Sequence, residues 1–400
     1  MSTQRPRRPS YSDRALAVAF MGFVTVPLIG TFFGWDLAEV DENRRPTAFP
    51  DLAATALDEL PDQLDAYYRD HFGFRNVFIR RWNRLQRKLD KNLLRRVVRG
   101  RDPWLFEDRP EVMLDYLGRT ETTVDDLEAW RHAIEERRDW LAERGVQYLF
   151  GVVPNKPTMY PQFLPEAIQA AARPTRRVQF LAHMAEHSDV PVLDVRPALV
   201  AKLDWKTLYL SNDTHWNTFG AFVGYQTVMR RLAELLPQVG PPLELSDCEL
   251  VPGELYGNLA KYADLPEAEY TLPITMIRPP TLASFETTRI DLPVFSPDRV
   301  WPNDNRAPPI YRNPTGKGRA VIFHDSFFLT CVKLVAHHFE QTVPIWKEMT
   351  PDALMSVVED QRPDVVIEIL AERVLYKVPA AFEGASATGS TGTTDATGER

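Results

Sequence analysis

The sequence predicts an α/β protein, a parallel sheet covered by helices on both faces, standing behind a single membrane-spanning helix. Three observations predict it. Short continuous apolar runs at Val146–Val153 (VQYLFGVV), Val190–Val195 (VPVLDV), Arg319–His324 (RAVIFH) and Asp364–Leu370 (DVVIEIL) read as strands buried on both sides. Stretches of helical periodicity alternate with them. Ala15–Trp35 runs 21 residues without a charge.

That N-terminal run makes about 32 Å of helix, enough to cross a hydrocarbon core of about 30 Å. Arg5, Arg7, Arg8 and Arg14 precede it against Asp13, and Asp36, Glu39, Asp41 and Glu42 follow. The positive-inside bias places the N-terminus in the cytoplasm and the body outside it. The run exceeds the apolar core of a cleavable signal peptide, and no clear A-x-A site follows it.

Between Asp36 and about Pro110 the chain reads as a linker and then an amphipathic helix. Phe78, Trp82, Leu85, Leu89, Leu93 and Val97 recur at spacings of three and four. Arg80–Arg101 holds ten Lys and Arg against Asp90, a net of +9 in a chain whose total is −8. Such a face is either simply solvated or meets anionic headgroups or an acidic polymer, with Arg84, Arg87 and Lys91 as the contact residues. Val124–Arg144 is a charged helix with Leu127, Trp130, Ile134 and Trp140-Leu141 on its apolar side, and Gly145 stops it. Further helices are expected over Thr175–His187 and Asn217–Leu236. The Pro-rich stretch Pro252–Pro314 reads as loops and short strands, and the chain after Phe382 as a disordered low-complexity tail.

Composition excludes several classes. With 47 Lys and Arg against 55 Asp and Glu, the chain is no global nucleic-acid binder. Two cysteines, Cys248 and Cys331, are too few for a disulfide scaffold or a Cys-rich zinc module, although one disulfide is open. A mean hydropathy of −0.30 excludes a polytopic membrane protein. Neither a Walker A loop, a G-x-S-x-G elbow, a G-x-G-x-x-G loop nor H-E-x-x-H is present. Adjacent His337 and His338 point about 100° apart on a helix and make poor co-ligands, so no metal and no cofactor is expected.

Two local features carry chemistry. In Ser211-Asn212-Asp213-Thr214-His215-Trp216-Asn217, Asp213 and His215 lie two apart just before a helix. In Val321-Ile322-Phe323-His324-Asp325-Ser326-Phe327 a buried strand runs straight into Asp-Ser. Strand-to-helix turns at the carboxyl end of a parallel sheet present ligands and nucleophiles. Ser326 there is either an N-cap or a nucleophile whose base is His215 and whose orienting carboxylate is Asp213; Asp213-Thr214-His215 otherwise reads as a capping turn or as two ligands of a metal site. Asn212-Asp213-Thr214 also fits the glycosylation pattern, too short a match to carry weight.

These residues resemble the SGNH hydrolase-like (flavodoxin-like) domain of the alginate O-acetyltransferases of the AlgJ/AlgX type. The similarity runs over most of Glu42–Tyr376. It includes Glu42-Asn43-Arg44 with Phe49-Pro50, Asp70-His71-Phe72-Gly73-Phe74-Arg75, Trp104-Leu105-Phe106, Val153-Pro154-Asn155-Lys156-Pro157, Asp213-Thr214-His215-Trp216-Asn217, Asp325-Ser326-Phe327 and Glu372-Arg373. The resemblance implies a Ser326-His215-Asp213 triad. Its D-x-H pair precedes the serine, similar to the circularly permuted motif order of that family. His324 replaces the Gly of a G-D-S block, so the oxyanion or substrate-binding donors are sought among Asn155, Lys156 and Arg373, each of which has a purely structural alternative.

The implied activity is transfer of an acetyl group through a serine ester onto a polysaccharide, with a polytopic membrane acyltransferase as the donor partner. A carbohydrate acetylesterase and a non-catalytic polysaccharide-binding scaffold are the alternatives. The expected organisation is a basic cytoplasmic tail (1–14), a transmembrane anchor (15–35), linker and basic helix (36–110), the SGNH-like domain (111–380) and the tail (381–400). This places the chain in the inner membrane with its body in the periplasm or another extracytoplasmic space.

Overall fold

The computed structural model describes residues 10–33, 35, 47–52, 58–78, 81, 93–94, 96–101, 103–280, 285–286 and 309–380. The chain forms two compact units, one built mainly of residues 1–95 and the other mainly from Arg96 onward.

In the first unit, helix α1 (Tyr11–Phe33) contains the only described stretch long and apolar enough to cross a membrane, Arg14–Thr31. A shorter helix, α2 (Leu60–His71), follows. Arg84, Arg87 and Lys91, with most of the basic run, lie outside the described residues, as do the chain from 36 to 46 and the tail. The helix expected to reach Arg101 does not, because Val97–Arg99 is a strand, β1, pairing antiparallel with β2 (Leu105–Glu107). Val97, Leu105 and Phe106 are core residues, so the second unit begins well before the expected start at 111.

That second unit centres on a seven-stranded sheet. In chain order its strands are β3 (Gln147–Val153), β4 (Val192–Asp194), β7 (Phe285–Glu286), β8 (Ile310–Arg312), β9 (Arg319–His324), β10 (Gln341–Ile345) and β11 (Val365–Ala371). In space the order is β4-β3-β11-β9-β10-β8-β7. The first five are parallel, four of them at the apolar runs and the fifth, β10, without one; β8 and β7 add an antiparallel edge.

Helices α3 (Val124–Ala142), α4 (Arg176–His187) and α6 (Pro351–Gln361) pack on one face and α5 (Thr218–Leu235) on the other. Strand β9 divides its side chains accordingly, with Val321 and Phe323 towards α3 and α6, and Ala320 and Ile322 towards α5. A capping box starts α3, with Asp126 N–H donating to Thr123 Oγ1 and Thr123 N–H to Asp126 Oδ2, each at 3.0 Å. Gly145 ends that stretch at φ +70°. Within the Pro-rich excursion, β5 (Glu249–Tyr256) and β6 (Thr271–Arg278) form a regular hairpin of their own.

Candidate active site

Three strand ends converge at the carboxyl edge of the sheet. In the register, His324 pairs with Ile369 and Ala371 with Val153. Ser326, Arg373 and Asn155 each lie two residues beyond those positions, on neighbouring strands. Parallel strands bring such loop residues together however distant they are in sequence.

The turn after β9 is organised by Asp325, not by Ser326. Asp325 Oδ1 accepts the Phe327 N–H at 2.9 Å and Oδ2 accepts the Ala371 N–H at 2.8 Å. The capping role is thus taken by the aspartate, and the Ser326 hydroxyl is left for other partners. Oγ donates to His215 Nε2 at 2.8 Å and accepts from Arg373 Nη2 at 3.2 Å.

His215 stands just before α5, whose start is fixed by Asn217, the Oδ1 of which accepts the Gly220 N–H at 3.0 Å. Trp216 anchors the same turn. Its Nε1 donates to Phe327 O at 2.7 Å, and its ring lies so close to Gly224 that a Cβ there would meet it at 2.5 Å. The ring of His215 tilts against Phe327, centroids 4.9 Å apart. Asp213 Oδ1 accepts from His215 Nδ1 at 2.7 Å. A carboxylate can only accept, so Nδ1 carries the proton and Nε2 is free to accept from Ser326.

Asp213 is itself held on every side. Its Oδ1 accepts the His215 N–H at 3.0 Å and its Oδ2 the Asn258 N–H at 2.7 Å. Burial opposes its charge, but the His215 ring and these two N–H groups keep the carboxyl well below the usual carboxylate range. Asn258 braces Thr214 as well, through Oδ1 to its N–H and Nδ2 to its Oγ1, both at 3.0 Å. Nothing in the local sequence marks Asn258, which reaches the site from beyond β5.

The three further candidates part ways. Arg373 lies at Ser326 Oγ, with its guanidinium 4.9 Å from the Phe327 ring and its Nη1 on Glu107 Oε2 at 3.2 Å. It also borders a small recess lined by Asp115, Arg176 and Tyr376. Lys156 is not an oxyanion donor: all three of its hydrogens are used on the loop that carries Asp213. Nζ donates to the carbonyls of Leu210 at 2.9 Å, Ser211 at 3.2 Å and Asp213 at 2.5 Å. Trp104 and Phe106 enclose it. Burial pushes its ammonium down to about 7, against the pull of Asp213 and Glu107. Asn155 is buried at the start of the one-turn helix Lys156–Met159, and its N–H donates to Glu372 Oε2 at 2.8 Å. Glu372 also accepts from Thr158 and Thr175 at the back of the site.

His324, in place of a glycine, is buried, and its Nδ1 is hydrogen-bonded to Asp325 O at 2.7 Å. Asn212 is closed to glycosylation, being 1% exposed with Nδ2 turned to Tyr270 O. Cys248 and Cys331 are unbridged thiols. His338 spends both ring nitrogens, on Tyr225 Oη at 2.6 Å and Val239 O at 3.0 Å. Among the described residues no group of three or more His, Cys, Asp or Glu is placed to hold a metal.

Residues 97–291 match the family model described as the SGNH hydrolase-like domain of the acetyltransferase AlgX. Asp213 and His215 fall inside that range, Ser326 and Arg373 beyond it. A protein named probable alginate O-acetylase AlgJ from Pseudomonas fluorescens is 28% identical over 182 residues, 45% of this chain and 44% of that protein. Its namesake from Pseudomonas aeruginosa is 28% identical over 222 residues, 55% and 52% respectively. The chain spans about half the length of the curated relatives it matches. The structure of Bacillus cereus PatB1 with a sulfonyl adduct shares the fold at a TM-score of 0.51 and 16% identity, covering 72% of this chain and 99% of that one. Over residues 97–291 the chain is thus similar to the SGNH hydrolase-like domain of the acetyltransferase AlgX, and over about half its length to the proteins named alginate O-acetylase AlgJ.

Proposed function

We propose that this chain is an extracytoplasmic O-acetyltransferase, anchored by α1, that moves an acetyl group through an ester on Ser326 to hydroxyls of an exopolysaccharide of the alginate type. The observation that carries the reading is the continuous hydrogen-bond line from Asp213 through His215 to Ser326, with the Arg373 guanidinium beside the same oxygen.

In the first half-reaction Ser326 Oγ attacks the acetyl carbonyl as its proton passes to His215 Nε2. Asp213 stabilises the resulting imidazolium. Arg373, aimed at Oγ, supplies positive charge where the tetrahedral oxyanion develops. The bond to the donor's leaving atom then breaks, and that atom takes the proton from His215. In the second half-reaction a sugar hydroxyl gives its proton to His215 and attacks the ester. The bond between the acyl carbon and Oγ breaks, and Oγ regains a proton. Acetyl-CoA is confined to the cytoplasm, so the acetyl group has to be exported, and the partner is a polytopic membrane acyltransferase.

The test is the Ser326→Ala variant of the full chain. It should form no acetyl-enzyme, seen as loss of the acetyl mass adduct, and should leave the polymer unacetylated. An ester that forms but passes only to water identifies an acetylesterase. Undiminished polymer acetylation by Ser326→Ala refutes the triad, and polymer binding that survives the loss of all acetyl chemistry in the parent chain identifies a scaffold.

A further inference from the structure

The segment Asp70-His71-Phe72-Gly73-Phe74-Arg75 takes no part in the chemistry above, yet it is built tightly onto α1. Gly73 N–H donates to Thr31 Oγ1 at 2.9 Å and to Pro27 O at 3.2 Å, and Thr31 Oγ1 donates to the same carbonyl at 2.9 Å. A Cβ on Gly73 would meet Pro27 O at 2.5 Å and Gly30 Cα at 2.6 Å, so only glycine allows this approach. The next residue, Phe74, takes φ +62°, a conformation a bulky side chain adopts only where its surroundings impose it.

The contact falls within the membrane-length window Arg14–Thr31. Pro27 and Gly30 lie about 9 and 5 Å along the axis from the helix end at Phe33, at 1.5 Å per residue. If α1 crosses a bilayer, Phe72–Phe74 therefore sits at the depth of its outer interface. Two features fit that depth. Each backbone N–H from Phe72 to Arg75 has a protein acceptor, namely Tyr68 O, Pro27 O with Thr31 Oγ1, Trp35 O and Phe72 O. A segment short of water requires this. The surroundings are also aromatic and uncovered: Trp35 pairs with Phe74 and Phe33, and Phe78 with Phe23 and Phe72, while Phe33, Trp35 and Phe78 are 68, 48 and 40% exposed. Exposed aromatic rings at the end of a spanning helix are the signature of a membrane interface.

We infer that residues 72–78 form an aromatic collar seated in the lipid against the outer half of α1, running from the interface at Gly73, which clamps it there, inward to Phe78 beside Phe23. The inference rests on the anchor reading of α1. Lipid is the occupant because the surface is continuous with a helix that the rest of the chain leaves almost wholly uncovered.

The test uses the full chain with Cys248→Ser and Cys331→Ala, in vesicles of phosphatidylethanolamine and phosphatidylglycerol. Nitroxide labels go on Phe78→Cys, on Val18→Cys as a bilayer reference and on Glu186→Cys as a water reference. Their accessibility to oxygen and to a nickel chelate is read by power saturation. The label at 78 should favour oxygen, near the value at 18, and Gly73→Leu should shift it towards the value at 186 while leaving 18 unchanged. A water-like value at 78 with a bilayer value at 18 overturns the collar alone. A label at 78 shielded from both probes overturns it too, since protein then covers the face. A water-like value at 18, with extraction of the chain by alkaline carbonate, overturns the anchor and the collar with it.

Discussion

Replacing Lys156 by Met keeps the length of the side chain and removes its charge and its three hydrogens. The ammonium lies among the carbonyls of Leu210, Ser211 and Asp213. Hydrogen bonds to a charged donor contribute about 1.5–3 kcal/mol each, so the three are worth about 4–9 kcal/mol. Against this stands the cost of burying the charge. A fall from 10.5 to about 7 corresponds to about 5 kcal/mol. The difference leaves the variant destabilised by about 2 kcal/mol, which lowers the melting temperature of a domain this large by about 4–8 °C. The catalytic effect is larger, because a shift of the loop displaces Asp213 from His215. An error of about 1 Å in such a group costs on the order of a hundredfold in turnover.

The assay is acetyl transfer from an activated acetyl ester to an oligosaccharide, with thermal melts on the same samples. Turnover should fall about a hundredfold with KM little changed. The melts also carry a sign. Between about 7 and 10.5 the unfolded chain binds more protons at this residue than the folded chain does. Its contribution therefore makes stability rise with pH across that window, and Lys156→Met should flatten the rise. Wild-type turnover and an unaltered melting curve would refute the reasoning.

Two other outcomes follow from the geometry. Arg373→Ala should reduce the rate of acetyl-enzyme formation about 10²–10³-fold, the effect of removing one oxyanion donor, when measured by stopped-flow with an activated ester; an unchanged rate excludes Arg373 from acyl chemistry. His338, pushed down to about 4 by burial, binds a proton less readily folded than unfolded, so its stability contribution is complete above about 6.5 and is lost as pH falls from there to about 4. That loss is about 3 kcal/mol. Denaturant titrations at the two ends of the window should register it in the parent chain and not in His338→Leu.

How much of this the residues announce depends on the element. The parallel strands announce themselves because burial on both faces demands unbroken apolar runs, and RAVIFH is strand β9 residue for residue. Strand β10 does not, since Pro344 reads as a strand breaker. It is tolerated because β8 pairs only with Gln341 and Thr342, leaving that side of Pro344 without a ladder to complete. The hairpin β5–β6 is hidden by Pro252 and Gly253. Asp213, His215 and Ser326 stand out as a chemical set, and the structure brings them into hydrogen-bond contact. Asn258 and Glu107 do not stand out, because bracing a loop or aiming a guanidinium imposes no local pattern. Lys156 shows the converse: its position at a strand end suggested a donor to substrate, while its hydrogens are committed to the protein.

Glu107 has a practical consequence for where the domain can be cut. A chain trimmed to begin at Glu111 retains Asp213, His215 and Ser326, yet it lacks the carboxylate that steers Arg373 and the Trp104 and Phe106 rings that enclose Lys156. Such a fragment carries the three hydrogen-bonded residues without the contacts that support them. The shortest chain that keeps the site intact has to start ahead of Arg96, so strands β1 and β2, remote from Ser326 in sequence, set the N-terminal limit of the domain.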